Sequence, residues 1–537
     1  MLALPIPHKS TPHDGTFFRT SVLSACENHT AAAASPEPEA DVESRTVRAE
    51  LVRSTQRQPP PSAFSKQQLL ELVDPYRGES TGSVEEYLRF SRDPYLRGYA
   101  TPDGPNLTLA RTKEDYDFPS PNEAATANPE VQVTLRSLRS AIRLRLRNNE
   151  RIDLDELYNV YQQLPEPRIR YIPGRLRHLL MKALGQPLKR NSKSMLRYFA
   201  VVADIKNCGM TLTAAEWNAA ISFASRYVGS STEVEVEAAL KLWREMEHDA
   251  RIPATDVTFN ILFDVASKAG NFTLADMIYH EMESRGHRPN RYHYVSLIHY
   301  FGLKMDADGL RAAYAEMVHA GEMIDTVALN AVISGLLRSG EEASAERVYE
   351  RMKESVAWKS GLPVRTYSTD RAITQVLLMF ARIGRRHPQL QVKFQENTPL
   401  HPDLHTYRIL VNHYGIKLGD LTRVAQYIDE MKFFKIPLHG AIFLGLFKSF
   451  ALHGGSSGSP WSAQRLQSIL NALMNALDDN TPGLEIKTWL ACWALRAFAR
   501  CSTRDSVMGV YDALKERWHL GYEDEQFMID FLAHLLR

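Results

Sequence analysis

Five arginines crowd one short stretch of the chain: Arg136, Arg139, Arg143, Arg145 and Arg147. A guanidinium is charged at any physiological pH, and its planar fork of donors matches a phosphate. Leu135, Leu138, Ile142 and Leu146 recur among them at spacings of three and four, the period of an amphipathic helix. The arginines take the rest of that helix's surface with no Glu between them. A solvated face is the plain alternative, but unrelieved like charge favours an acidic partner. Phosphate contact is therefore assigned to Arg136, Arg139, Arg143 and Arg147. It is also assigned to Arg175 and Arg177, which stand beside Leu176, Leu179 and Leu180 in a segment of the same style.

The other reactive side chains point to little chemistry. Cys26, Cys208, Cys492 and Cys501 form no CxxC, and no Cys/His group has zinc-ligand spacing. So few thiols in 537 residues argue for buried or incidental cysteines in a reducing compartment. His280, His293 and His299 show no ligand spacing. The sequence holds no Gly-rich phosphate loop, nucleophile elbow or recognisable carboxylate pair, so neither an enzyme nor a cofactor is expected. The net charge is only +1. Its distribution says more: residues 1–130 carry 19 Asp and Glu against 13 Lys and Arg, and residues 134–200 carry 15 Lys and Arg against 5 acids. No apolar run reaches the ~18 residues of a membrane-spanning helix, so no integral membrane segment is expected. The best run, Gly440 to Leu452, is short and contains Lys448.

The elements that must position these groups are helices. Residues 1–63, with Pro-rich stretches and no periodicity, read as disordered. The first 35 fit an organelle transit peptide or plain disorder equally well. Residues 64–130 read as an irregular linker holding one short helix at Lys66–Val73. Residues 131–194 read as a basic helical segment. Beyond it the sequence repeats. Asp256 to Asn290 contains two apolar stripes, Phe259, Leu262, Phe263 and Ala266, then Leu274, Ala275, Ile278, Tyr279 and Met282. Gly270 closes the first helix, and Gly286 with Pro289 closes the second. Tyr314, Met317, Gly321 and Asp325 repeat Tyr279, Met282, Gly286 and Asn290 at a separation of 35. Neither helix can bury its stripe alone, so the pair must stack on its neighbours. A third unit starts at Thr326 and is broken by an insertion near Ser355 to Ser368. Leu404 to Leu438 is a full-length unit, and His439 begins another. The array is placed at 195–453, with weaker helical repeats at 461–537.

Thr258-Phe259-Asn260, Lys268-Ala269-Gly270, Ala275, Tyr279, Glu281-Met282, Gly286 and Pro289-Asn290 resemble the pattern of the pentatricopeptide repeat (PPR) family. The resemblance implies an all-α fold, a right-handed α-solenoid of helix-turn-helix repeats with a disordered N-terminal region. It also implies single-stranded RNA in an organelle as the partner, read one base per repeat by the fifth and last residues of each unit. On this sequence those positions are Asn218, Asn260 with Asn290, Val295 with Asp325, Asn330, and Arg408. Val295, Arg408 and Phe443 stand where the family expects Asn, Thr or Ser, and an apolar side chain offers no hydrogen-bond code. Two functions are expected. The first is a mitochondrial matrix factor for maturation, stability or translation of an organelle transcript or ribosomal RNA, in contact with RNA or the mitochondrial ribosome. The second follows the resemblance to fungal members: a protein-binding scaffold assisting assembly of respiratory complex I.

Overall fold

The computed structural model describes residues 65–73, 84, 129–147, 152–186, 192–225, 231–354, 367–396, 398, 400–434, 436, 439–456, 458–481, 484–518 and 522–536. The expectations for residues 1–63 and for most of 64–130 lie outside these. No strand occurs among the described residues.

The helices alternate between two layers. The first layer holds α2 (Pro129–Arg147), α4 (Gly174–Leu184), α6 (Ala214–Ala224), α8 (Asp256–Lys268), α10 (Arg291–Leu303) and α12 (Thr326–Arg338). It resumes with α16 (Leu404–Val411), α18 (Gly440–His453), α20 (Thr488–Cys501) and α22 (Tyr522–Leu535). Each of these helices packs on the next one in the layer. Between them along the chain run α3 (Leu154–Gln162), α5 (Ser192–Asn207), α7 (Glu233–Arg244), α9 (Phe272–Ser284), α11 (Ala307–His319), α13 (Glu342–Glu354), α17 (Leu421–Phe433), α19 (Ala463–Asp478) and α21 (Arg504–Lys515). The molecule is thus an all-α solenoid of helical hairpins. The basic segment continues the same layering, with α2 packed on α4 and α4 on α6.

Local chemistry sets the register. The helices that begin at 256, 291 and 326, and those that begin at 272, 307 and 342, are each 13 residues long and 35 apart. Gly270 and Gly286 end their helices at φ of +78° and +76°, a left-handed conformation that costs a Cβ-bearing residue energy. The last residue of a unit caps the next helix. Asn290 accepts from Tyr292 N–H at 2.9 Å and Asp325 from Ala328 N–H at 3.0 Å. Tyr279, Tyr314, Tyr349 and Tyr427 are buried at matching places, as are Met282, Met317, Met352 and Met431.

Two features were not foreseen. The insertion runs well past the expected end at Ser368: α14 (Tyr367–Arg386) and α15 (Pro388–Glu396) lie between α13 and α16, while α12 packs directly on α16. The insert is tied to one turn. The Gln395 side chain accepts from Ile324 N–H at 2.9 Å and donates to Ile324 C=O at 2.7 Å, and Arg385 pairs with Glu322 at 2.8 Å. The second feature is where the short helix expected at Lys66–Val73 goes: α1 (Lys66–Glu71) docks on α11 more than two hundred residues away. Tyr314 donates its hydroxyl to Leu69 C=O at 2.8 Å, and Val84 N–H donates to Glu316 at 2.9 Å. Leu69, Leu72, Val73 and Val84 are buried there.

Candidate nucleic-acid interface

A first-layer helix packs the second layer on one face and its first-layer neighbours on two flanks. The remaining face is the groove side. On α8 that face carries Val257, Asn260, Asp264 and Lys268, which are exposed or half-buried while the residues between them are largely buried. Counting from each helix cap finds the equivalents elsewhere.

The fifth-position asparagines behave differently from one another. Asn218 Nδ2 donates to Thr255 Oγ1 at 3.1 Å, and Thr258 Oγ1 donates to Asn218 Oδ1 at 2.6 Å. Asn330 repeats this across the insertion: its Nδ2 donates to Asp403 Oδ1 at 3.0 Å and its Oδ1 accepts from Thr406 Oγ1 at 2.7 Å. In both, the amide grips the cap residue and the third residue of the next first-layer helix. Asn260 lacks this grip. The third residue of α10 is His293, not Thr. Its Nδ1 accepts from Asn290 N–H at 3.3 Å and its Nε2 donates to Asp256 C=O at 3.1 Å. Asn260 Oδ1 is left without a hydrogen-bond partner among the described residues. The pattern pairs an unsatisfied amide with an otherwise occupied neighbour, and burial holds that neighbour's imidazole down to about 4, neutral at physiological pH.

The other expected reading positions are also placed. Asn290 Nδ2 donates to Asp256 Oδ2 at 3.0 Å. Asp325 is 1% exposed and pairs with Arg291, which also donates to Met323 C=O at 2.6 Å. Val295 is buried in the first layer. Arg408 is half-buried on the groove face of α16. In the next unit the cap is His439, so α18 starts one residue later than a strict 35-residue count requires. Its fifth residue is therefore Leu444, and Phe443 points into the core.

The arginines split into two groups. Arg136, Arg139, Arg143 and Arg147 are exposed, and none has a hydrogen-bonding or ionic partner among the described residues. At 100° per residue they fall within an arc of about 80° on one flank of α2. Arg175 is exposed on α4, with Lys182 two turns further on the same face. Arg145 is instead buried, donating to the carbonyls of Ile152 at 2.5 Å and Gln186 at 3.2 Å. Arg177, expected among the exposed cations, also lies inside. It is 5% exposed, it meets the Met210 sulfur at 2.6 Å, and burial lowers its pKa. The reason is register: both residues fall on the apolar stripe of their helices, where only satisfied polar heads are tolerated.

Sequence reasoning missed Lys448, Trp489 and Arg496. Aligning the cap before Thr488 with the cap before Asp256 would have put Trp489 and Arg496 at the places of Val257 and Asp264, on the groove face. No helix among the described residues is long and apolar enough to cross a membrane.

The described residues thus form a solenoid of helical hairpins whose helix α2 carries an exposed cationic row. Two stretches of the array resemble a known repeat: residues 254–302 match the model of the PPR repeat family, and residues 327–355 match that of the PPR repeat. A chloroplastic pentatricopeptide repeat-containing protein of Arabidopsis thaliana is 26% identical over 166 residues. That match spans 31% of this chain and about a fifth, 21%, of the relative. The crystal structure of the pentatricopeptide repeat protein PPR10 from maize is 17% identical with a TM-score of 0.33, over 76% of this chain and 61% of that one. PPR10 in complex with an 18-nt psaJ RNA element is 16% identical with a TM-score of 0.28, over 91% of this chain and 68% of that one.

Proposed function

We propose that the protein binds single-stranded RNA in an organelle, the mitochondrial matrix, and acts in maturation, stability or translation of an organelle transcript or ribosomal RNA. The observation that carries this reading is the row Arg136, Arg139, Arg143 and Arg147, exposed and without an acidic partner among the described residues. Keeping four guanidiniums on one helix flank without counter-charge is electrostatically costly, and a polyanion relieves it. Arg175 and Lys182 on α4 extend the cationic face toward the groove. Arg177 and Arg145 serve the fold. Base contact is assigned first to Asn260, half-buried on the groove face, whose Oδ1 is buried and has no hydrogen-bond partner among the described residues. The organellar setting is supported by the repeat family and by the chloroplastic relative.

The test is fluorescence anisotropy of the full chain with a labelled single-stranded RNA over a salt series. Replacing Arg139, Arg143 and Arg147 by Ala removes up to three phosphate contacts and lowers the slope of log K against log salt by about 2. An unchanged slope and affinity refutes the assignment.

The second reading is a protein-binding scaffold assisting assembly of respiratory complex I. It is favoured by the middle of the array, where Val295, His299, Asn330 and Ser334 are all buried and present little hydrogen-bonding surface. It predicts co-migration with a respiratory subassembly that survives RNase treatment.

A further inference from the structure

The C-terminal end of the first layer carries an array of rings and cations that the repeat code does not use. Lys448 on α18 lies 5.5 Å from the ring centroid of Trp493 on α20. Arg496, on the same helix as Trp493, lies 4.9 Å from that ring and 5.3 Å from the ring of Phe531 on α22. The array therefore crosses three successive first-layer helices. It ends in two exposed aromatics. Trp489, 55% exposed, stands edge-on to Trp493 at 6.4 Å, and Phe527 lies nearly parallel to Phe531.

The residues of α20 at 490, 491, 492, 494, 495, 497 and 498 are all buried. Trp489, Trp493, Arg496 and Arg500 form the complementary stripe, with spacings of four, three and four, so they share the groove face. Trp489 and Phe527 are the exposed ends of one aromatic array joined through Trp493, Arg496 and Phe531, and a connected exposed patch marks a binding surface. Cations packed against aromatic faces keep the rings ordered and make the surroundings positive. An apolar protein partner offers those ammonium and guanidinium groups no counter-charge. A strand of unpaired bases suits both groups, because its bases stack on rings and its phosphates meet the cations.

We propose that Trp489, with Trp493, Lys448 and Arg496 behind it, is a base-stacking site for single-stranded nucleic acid that acts without regard to sequence. This rests on the RNA-binding reading above and adds a second contact at the opposite end of the array from the α2 arginines. Every base has a π-face, so such a site holds a strand without any hydrogen-bond code.

The experiment uses the full chain and two fluorescein-labelled probes of equal length, an oligouridine and an abasic ribose-phosphate oligomer. The wild type is expected to bind oligouridine more tightly. Trp489→Ala lowers oligouridine affinity about five- to 150-fold and leaves abasic affinity unchanged, whereas Trp489→Phe keeps most of the binding. The side chain is mostly exposed, and circular dichroism melts verify that both variants fold. Equal oligouridine affinity in wild type and Trp489→Ala, with binding still dependent on the α2 arginines, overturns the stacking site alone. If the wild type binds neither probe, the RNA-binding reading falls and this site with it. Loss of an RNase-resistant protein subassembly in Trp489→Ala, with RNA affinity intact, also overturns the proposal.

Discussion

Replacing Asn330 by Ala separates a structural asparagine from a base-reading one. Asn330 is 6% exposed and joins α12 to the cap of α16 across the whole insertion. The bond to the Asp403 carboxylate is charge-assisted and contributes about 1.5–3 kcal/mol, and the neutral bond from Thr406 about 0.5–1.5 kcal/mol. Asp403 still accepts from Thr406 N–H at 3.0 Å, so its carboxylate is not wholly orphaned. The expected cost is about 2–4 kcal/mol. In a solenoid this falls on one joint, since each unit is coupled chiefly to its neighbours. Hydrogen exchange should therefore accelerate about thirtyfold to eight hundred-fold in α12 and α16, while α8 keeps its protection. In a double-mutant cycle with Thr406→Val the costs should sum to less than additive, because both substitutions remove the same bond. Unchanged protection across α12 and α16 would refute the argument that this amide couples the two halves. Asn260 is the contrast. Its Oδ1 is buried without a partner among the described residues, so Asn260→Ala loses no bond to that oxygen and should leave stability unchanged or raise it by up to about 1 kcal/mol while weakening RNA binding.

Three further outcomes are expected. Burial holds the folded-state pKa of His293 at about 4, below its ordinary value of 6.5. Between those pH values the unfolded chain takes up a proton that the folded chain refuses, so stability falls as pH drops from 6.5 toward 4, by at most on the order of 3 kcal/mol. His293→Thr should flatten urea-unfolding stability across that window, leaving the smaller contributions of His413 and His439, which burial also lowers. Gly302 and Gly335 let α10 and α12 touch: a Cβ on Gly302 would lie 2.7 Å from Gly335 Cα. Gly302→Ala should cost about 1–3 kcal/mol, measured by denaturant midpoint, despite the better helix propensity of Ala. Gly509 lies within α21 and a Cβ there meets nothing within 4 Å, so Gly509→Ala should raise the midpoint by up to about 1 kcal/mol.

The sequence by itself determined the hairpin, because apolar stripes, closing glycines and capping Asn and Asp are local signals that recur with the period. It also determined which arginines are present on α2, and four of the five are on the surface as read. Three matters depended on tertiary packing. Arg145 and Arg177 are buried because each points inward from its own helix, and distant carbonyls or a sulfur receive it. The asparagines at 218, 260 and 330 look alike in sequence. They differ because the third residue of the next helix is Thr, His or Thr, a contact between units that no local pattern contains. The aromatic and cationic groups of α18, α20 and α22 meet only when three helices stack, so their grouping was invisible along the chain. Local sequence writes the repeat, and the contacts between repeats decide which of its side chains remain free to bind.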